Sequence, residues 1–346
     1  MNPFTFAQPE SLEPALAQVA GNASFAGEAV RFIAGGTNLI DLMKEGVMLS
    51  SRLVDINRLP LDKIEEDGDE NKGLRLGALA RNADTAYHPL VRERYPLLSA
   101  AILAGASPQL RNMASNGGNL LQRTRCYYFY DLATPCNKRD PGSGCSAIGG
   151  ITKQHAILGA SDHCITTHPS DMCVALAALE ATVHVESARG KRAIPFAEFH
   201  RLPDDAPQYD NVLEADELIT HISLPDARHY AAHSAYLKIR ERLSYAFALV
   251  SVAVALDIGA DGVIKSARIA LGSVAHKPWR KLEAEALLAG QKEDPALFGR
   301  VADVLLDGAV GQGDNDFKIG LARKAIVRAL QTAVQGTVTN TGEPHD

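Results

Sequence analysis

Apolar residues fall in short runs along the first 226 residues, and their spacing alternates between helical and strand periodicity. An amphipathic helix is predicted to follow Ser11, a typical N-cap residue, and to stop at Gly21. Strands are predicted for the runs 30–34, 53–56, 74–78, 182–186 and 217–224. Helices are predicted over 39–48, 97–104 and 172–180. The chain therefore begins with a strand-turn-helix-strand unit, and the polar segment 62–72 is a predicted loop that ends this first subdomain.

The last third of the chain, from about residue 227, has a different pattern. Two long strands, 246–256 and 264–271, and three helices, 280–289, 295–306 and 317–334, predict a small α+β domain. The Pro- and Asp-rich segment 201–216 is interpreted as a linker, and the polar segment 336–346 as a disordered tail. The stretch from 107 to about 161 is irregular and rich in Gly, aromatic and basic residues. So long a stretch without regular structure is typical of a functional loop.

The composition is that of a globular chain of two or three domains. Of 346 residues, 46% are hydrophobic and 22% are charged, which excludes a disordered protein. The formal net charge of −6 argues against a nucleic-acid-binding surface. The longest nearly apolar run, 246–256, is too short to span a membrane, and the first residues lack the basic and apolar regions of an export signal.

Two glycine-containing turns could hold an extended ligand. The first, Gly35-Gly36-Thr37-Asn38, lies between a predicted strand and helix, where backbone N–H groups favour a phosphate; the alternative is a tight turn that needs a positive φ. Asp55 lies where a Rossmann fold has its ribose-binding acid, but Ile40 occupies the place of the third glycine. The nicotinamide-type fold is thereby excluded, and dinucleotide binding is not. The second turn, Ser115-Asn116-Gly117-Gly118-Asn119, offers further donors about eighty residues later.

Other polar residues have weaker signals. Asp171 starts a predicted helix and is either a cap or a ligand-binding residue. His155, His163 and His168 have no metal-binding spacing, and we assign them no role. Motifs for hydrolysis or phosphoryl transfer are absent from the sequence.

The five cysteines divide into four and one. Cys126, Cys136, Cys145 and Cys164 fall in an irregular, Gly-rich segment, whereas Cys173 lies among apolar residues of a predicted helix and is interpreted as a small core residue. The four could form two disulfides, a zinc site or an iron–sulfur cluster. Zinc sites typically use closely spaced Cys pairs, so the wide spacing here favours a cluster.

Basic residues outnumber Asp131 and Asp140 in the same stretch, and cations would stabilise an anionic cluster. The alternative interpretation is a solvated basic loop surface. These basic residues are Arg111, Arg123, Arg125, Lys138, Arg139 and Lys153.

Together these motifs resemble the FAD-binding medium subunit of bacterial molybdenum hydroxylases, the xanthine dehydrogenase family. The closest resemblance is to the subunit of periplasmic-type heterotrimeric aldehyde oxidoreductases. It runs from Phe4 to about Val334 and rests on the stretches 31–39, 109–120, 123–126, 167–171, 238–240 and 244–249. One departure is Ser115-Asn116, where most relatives have Thr-Ile before the Gly-Gly-Asn of the second turn.

The resemblance implies an α+β fold with an FAD-binding domain of the vanillyl-alcohol-oxidase (PCMH) type in two α/β subdomains, residues 1–60 and 61–226. The second subdomain carries an insertion at about 122–165. A C-terminal α+β domain like that of CO dehydrogenase flavoproteins, 227–335, and the tail 336–346 complete the chain.

The resemblance also assigns cofactor-binding residues. The FAD ligands it implies are Arg31, Phe32, Ile33, Ala34, Gly35, Gly36, Thr37, Asn38, Leu39, Ser115, Gly118, Asn119, Asp171 and Lys238. Asp171 would contact the sugar-like chain of the flavin, and Lys238 the isoalloxazine region. The implied ligands of a [4Fe-4S] cluster are Cys126, Cys136, Cys145 and Cys164. No catalytic residue is expected in this chain.

The implied function is that of an electron-transfer subunit of a molybdenum-dependent aldehyde oxidoreductase. A large subunit would carry the molybdenum cofactor, a small subunit would carry two [2Fe-2S] clusters, and FAD would pass electrons to an external acceptor. Alternatives are a subunit of a hydroxybenzoyl-CoA-reductase-like or xanthine-dehydrogenase-like enzyme, a free-standing FAD oxidase, and a zinc-stabilised assembly scaffold. By its own sequence the chain is expected in the cytoplasm, with a periplasmic location if a partner carries it across on a twin-arginine signal.

Overall fold

The first structural unit is a small parallel sheet flanked by two short helices. The structure is a computed structural model that describes residues 1–21, 29–68 and 73–337. The elements of this unit are β1 (Thr5–Ala7), α1 (Leu12–Ala17), β2 (Ala29–Ile33), α2 (Leu39–Lys44) and β3 (Ser50–Asp55). The strand order is β1-β3-β2, and both pairings are parallel. The predicted strand-turn-helix-strand unit is confirmed, although α1 ends four residues before Gly21.

The second unit is a five-stranded antiparallel sheet with helices packed against it. Its strands are β4 (Ile64–Glu66), β5 (Leu74–Gly77), β6 (Thr182–Ser187), β7 (Gly190–Pro195) and β8 (Leu218–Leu224), in the order β4-β5-β8-β6-β7. Its helices are α3 (Asn82–Tyr87), α4 (Pro89–Arg94), α5 (Pro96–Ala104), α6 (Pro108–Arg111), α7 (Asn116–Leu120), α8 (Tyr127–Tyr130), α9 (Asp171–Ala178) and α10 (Phe196–Phe199).

The predicted loop 62–72 is partly a strand. Its residues Ile64–Glu66 pair with Leu74–Leu76, because the antiparallel partner supplies hydrogen bonds that local composition does not show. Residues 69–72 of this predicted loop lie outside the described residues.

The third unit is a three-stranded antiparallel sheet covered by helices. Its elements are β9 (Ser234–Ile239), β10 (Val250–Ile258), β11 (Ile264–Gly272), α11 (Leu282–Ala286), α12 (Pro295–Leu305) and α13 (Phe317–Gln335), with β10 in the centre. Of the predicted tail 336–346, residues 338–346 lie outside the described residues, and Thr337 hydrogen-bonds to the backbone of Ala231 and Ala232.

The side-chain sizes along β10 explain how the third unit packs. Successive side chains of a strand point to opposite faces. Small residues, Ala253 and Ala255, join the core that contains α9, whereas Val252 and Val254 join the core that contains α12 and α13. The small face lets α9 approach closely, which is why this helix is apolar on nearly every side.

The predicted strand 246–256 begins four residues late, at Val250. Tyr245 has a φ of 49°, a left-handed conformation that turns the chain away from extended backbone. Residues 246 and 247 instead line the cavity described below. Within the described residues, no helix is both long and apolar enough to cross a bilayer.

Candidate functional site

A cavity of about 910 Å³ lies where the two glycine turns meet, near the upper end of the range for small-molecule sites. Every residue predicted to bind FAD lines it: Arg31, Phe32, Ile33, Ala34, Gly35, Gly36, Thr37, Asn38, Leu39, Ser115, Gly118, Asn119, Asp171 and Lys238. These residues come from β2 and its turn, from α7, from the start of α9 and from β9. The fold thus gathers the predicted residues around one space, and their contacts with FAD stay a prediction.

The first glycine turn brings two backbone segments into direct contact. A Cβ on Gly35 would lie 1.9 Å from the carbonyl oxygen of Met113, so only glycine fits there. Gly36 has a φ of 71°, and its carbonyl accepts the N–H of Ile40 in the first turn of α2. Both glycines are therefore required by the backbone itself.

Asn38 supplies a candidate ligand contact at this turn. Its Oδ1 accepts the backbone N–H of Arg123 at 2.9 Å, which fixes the amide. Its Nδ2 is buried and has no acceptor among the described residues. A buried amide donor normally has a partner, so this group fits a ligand with acceptor oxygens, such as a pyrophosphate.

The second turn is held by side-chain hydrogen bonds. Ser115 caps α7, its Oγ accepting the N–H of Gly118 at 3.3 Å. Asn116, the departure from the family pattern, is fully buried and donates to Gly77 O and to Thr85 Oγ1 at 3.2 and 2.9 Å. Asparagine at this position therefore anchors the turn to β5 and α3.

Asp171 and Lys238 form a buried ion pair at another part of the cavity. Lys238 Nζ lies 2.7 Å from Asp171 Oδ2, and the two side chains are 4% and 9% exposed. Tyr236 donates its hydroxyl to Asp171 Oδ1 at 2.7 Å, and burial together with this carboxylate raises the pKa of Tyr236. Ser170, whose Oγ accepts from Cys173 N, is the cap of α9. Ser170 and not Asp171 is therefore the N-cap, although Asp171 lies in the first turn of α9, where a carboxylate suits the helix dipole. Asp171 also lines the cavity.

Sequence reasoning missed a wall of the cavity. Residues 208–211, 213–215 and 217 line it, although the segment 201–216 was predicted to be only a linker. The length of the irregular segment 201–216 could have indicated a functional wall, because a long irregular segment inside a domain is usually functional. By contrast, Asp55 is not among the lining residues, and its carboxylate accepts hydrogen bonds from Gln8 and Asn57.

The four insertion cysteines are free thiols that lie close together. Cys136 and Cys145 face each other across an antiparallel bridge. Cys126 interacts electrostatically with Cys136 and Cys164, and Cys164 with Cys136 and Cys145. No three of these four Sγ atoms lie within 4.8 Å of one another. Tetrahedral zinc with Zn–S bonds of about 2.3 Å needs sulfurs about 3.8 Å apart, a spacing that no three of these thiols have.

Burial makes two of these thiols, Cys126 and Cys164, hard to ionise without a cation. It raises the pKa of Cys126 to about 12 and that of Cys164 to about 11. Backbone N–H groups of Phe129 and Tyr128 near Cys126, and of Thr166 near Cys164, oppose the rise. A bound metal would have to displace the thiol protons, and the surrounding donors would then stabilise the thiolates.

The basic residues of the insertion are mostly committed to internal bonds. Lys138 is buried and, with Arg123, contacts the carboxylate of Asp210, each at 2.7 Å. The guanidinium of Arg139 donates to three backbone carbonyls of residues 128, 129 and 134. Arg125 donates to the hydroxyl of Tyr130 and lies over the ring of Phe247. The solvated basic surface is therefore the wrong interpretation for these four cations.

A second group of metal-ligating residues is His168, Cys173 and His200, whose ligand atoms lie within 4.8 Å of one another and are all buried. His168 Nδ1 accepts the N–H of Ser170, so its Nε2 carries the proton, and His200 Nε2 donates to Leu120 O. Burial raises the pKa of the Cys173 thiol to about 12. Only His200 Nδ1 then offers a ready lone pair, so the trio is a neutral packed cluster.

Two family models together match most of the chain. Residues 2–227 match the FAD-binding domain in molybdopterin dehydrogenase, and residues 234–333 match the C-terminal domain of CO dehydrogenase flavoprotein. The first match covers both glycine turns, Asp171 and the insertion. The second covers β9, which carries Lys238.

Curated relatives and solved structures agree with these matches. The aldehyde oxidoreductase FAD-binding subunit PaoB of Escherichia coli is 48% identical over 304 residues, 88% of this chain and 91% of that protein. The glyceraldehyde dehydrogenase medium chain of Sulfolobus acidocaldarius is 27% identical and covers 86% of this chain and 85% of its own length. Among solved structures, a chain of carbon monoxide dehydrogenase from Hydrogenophaga pseudoflava superposes with a TM-score of 0.73 at 26% identity, covering 96% of this chain and 98% of that chain.

Proposed function

The chain belongs to the FAD-binding subunits of the molybdenum hydroxylases, and from this membership we propose that it is the electron-transfer flavoprotein subunit of an aldehyde oxidoreductase. The observation that supports this most is the single cavity lined by both glycine turns and by the Asp171–Lys238 pair. Aldehyde oxidation is favoured over other substrates because the E. coli aldehyde oxidoreductase subunit is 48% identical to this chain.

FAD fits the donors that the cavity presents. Bound flavin supplies the ability to take up and release electrons singly or in pairs. The Gly35-Gly36 turn and the Asn38 amide would hold the pyrophosphate, and Lys238 would lie near the isoalloxazine. Because Asp171 and the carbonyl of Ala104 fix the Lys238 ammonium, its charge would be held in one place beside the ring.

We propose further that Cys126, Cys136, Cys145 and Cys164 bind a [4Fe-4S] cluster. Such a cluster, when bound, supplies a one-electron redox centre. The support is the set of four neighbouring free thiols, linked by electrostatic interactions of Cys126 and Cys164 with the other members. The neighbouring backbone N–H donors are a further feature that suits thiolate ligands.

Metal and flavin analysis of the full chain tests both cofactors. We expect one FAD and roughly four irons per chain, with iron–sulfur absorption added to the flavin bands. Cys136→Ser is expected to lose iron, whereas Cys173→Ser, a matched change at the core cysteine, is expected to keep it. Zinc in place of iron, or equal iron in the two variants, would contradict the cluster assignment while leaving the FAD assignment intact.

The proposal includes two partner subunits. A large subunit would carry the molybdenum cofactor and oxidise the substrate, a small subunit would carry two [2Fe-2S] clusters, and an external acceptor would take electrons from the flavin. Affinity purification of the tagged chain from its native host should recover a molybdenum-containing large subunit. A lone chain that oxidises aldehydes at full rate would instead support a free-standing FAD oxidase. Fractionation of the same cells tests whether the complex resides in the cytoplasm or has been carried to the periplasm with a partner.

A further inference from the structure

One imidazole of the insertion lies against a proposed cluster ligand. His155 Nε2 is 3.1 Å from Cys126 Sγ, and His155 is 1% exposed. Among the described residues, this is the one side-chain hydrogen bond to any of the four insertion thiols. From the sequence alone we assigned His155 no role, because its spacing resembles no metal motif.

We propose that His155 is a positioning residue that donates its Nε2–H to the Cys126 thiolate of the bound cluster and raises the reduction potential of that cluster. This inference rests on the [4Fe-4S] cluster proposed above. A thiolate offers only lone pairs, so a ring nitrogen at this distance must supply the proton. Reduction adds negative charge to the cluster and its sulfurs, so a donor stabilises the reduced form more than the oxidised form.

The third structural unit holds His155 in this position. The carbonyl oxygen of His155 accepts Lys318 Nζ at 2.8 Å and Asn315 Nδ2 at 3.0 Å, and both of these side chains are fully buried. Lys318 also donates to the carbonyl of Ser273 at 2.6 Å. Burying an ammonium group without a carboxylate partner costs free energy. Here the ammonium of Lys318 holds the backbone that carries the imidazole.

A neighbouring contact secures the same segment. Asp314 donates its N–H to Thr152 Oγ1 at 3.0 Å, and Thr152 Oγ1 donates to the carbonyl of Gln312 at 2.9 Å. The segment 312–318, which leads into α13, therefore forms several hydrogen bonds with residues 152–156. The imidazole therefore has little freedom to leave Cys126, as a tuning hydrogen bond requires.

Redox titration of reduced, cluster-loaded full chains, monitored by electron paramagnetic resonance, tests the proposal. His155→Leu removes the donor, His155→Gln keeps an N–H at a similar reach, and His163→Leu is the control because His163 is exposed in the same insertion. We expect His155→Leu to lower the reduction equilibrium constant at least tenfold, about 59 mV for one electron, with a smaller shift for His155→Gln and none for the control. Equal potentials for His155→Leu and the wild type would overturn the inference.

A measurement on the wild type keeps the test decisive if His155→Leu assembles no cluster. Protein labelled with ¹⁵N-histidine should show a weak ¹⁵N coupling to the reduced cluster that is lost in His155→Gln. Absence of any ¹⁵N coupling would overturn the hydrogen bond, and a strong coupling would overturn it by making His155 an iron ligand. A wild-type chain without iron would refute the proposed cluster itself, which distinguishes the two failures.

Discussion

The contact between the two glycine turns can be tested by adding one methyl group. In Gly35→Ala, the new Cβ would lie 1.9 Å from Met113 O, a distance that real Cβ atoms do not reach. The two segments would have to separate by roughly 1 Å to reach 3.0 Å. Arg81, which donates to Met113 O at 2.8 Å, and Asn82, whose N–H donates to Ala114 O at 2.8 Å, restrain the second segment. The strain therefore cannot be relieved by moving a flexible side chain.

The expected cost has two parts. Overpacking of this kind typically costs about 1–3 kcal/mol, which should appear in the free energy of unfolding of the flavin-free chain. The same displacement moves Ser115 and Gly118 away from the first turn, so donors on opposite sides of the cavity no longer meet one ligand. We expect FAD to bind at least tenfold more weakly, which corresponds to about 1.4 kcal/mol of binding free energy.

Denaturant unfolding with and without FAD separates the two parts, because a ligand stabilises the folded state according to its dissociation constant. Fluorescence titration of the flavin-free chain gives the same constant directly. Gly320→Ala is the matched control, since Gly320 is exposed on α13 and a Cβ there meets nothing within 4 Å. It should stabilise the chain by up to about 1 kcal/mol. A Gly35→Ala chain with wild-type stability and wild-type FAD affinity would refute the close approach of the turns.

Three further changes probe buried charges. Lys238→Met leaves the Asp171 carboxylate buried without its cation and should cost about 3–5 kcal/mol of unfolding free energy. Tyr236→Phe removes one hydrogen bond to the same carboxylate and should cost about 1–3 kcal/mol. Equal losses of unfolding free energy, measured by urea denaturation, would contradict the ion pair. Asp210→Asn leaves the buried ammonium of Lys138 and the partly buried guanidinium of Arg123 without their carboxylate and should cost a similar 3–5 kcal/mol. A loss below about 1 kcal/mol in the same assay would place that carboxylate in solvent. Burial lowers the pKa of His200 from 6.5 to about 4, so the folded chain binds fewer protons than the unfolded chain between these pH values. The free energy of unfolding should therefore fall by up to about 3 kcal/mol as the pH drops through this range. His200→Gln should make the free energy of unfolding depend less on pH between about pH 7 and 4, and an unchanged pH dependence would rule His200 out as its source.

The sequence was most informative where backbone geometry restricts the residue type. Gly35 and Gly36 were recognisable because close approach and a positive φ both demand glycine, and the structure shows one of each. The resemblance added the ligand set around them, and the fold places that whole set on one cavity. The boundaries of the predicted domains and the ligand roles of these residues stay predictions.

The sequence was least informative where tertiary neighbours decide between equivalent local choices. Ser170 and Asp171 are both good caps, and both line the cavity. Only the position of Lys238 and Tyr236 makes the aspartate the one that joins a buried ion pair, while Ser170 caps the helix. The strand Ile64–Glu66 likewise depends on its pairing partner more than on its own composition. Such choices depend on residues distant in the chain, which no local pattern records.

The insertion connects the two proposed cofactor sites at the level of single residues. Arg125 and Gln154 line the cavity proposed to hold FAD, and the residues that follow them, Cys126 and His155, form the contact at the proposed cluster. Neighbouring residues in the chain have Cα atoms about 3.8 Å apart, so a shift of either segment at one site is transmitted to the other. If both cofactors bind as proposed, the insertion forms a wall that the two sites share. The cations of this wall fit the same view, because Arg123 and Lys138 meet on Asp210, which itself lines the cavity.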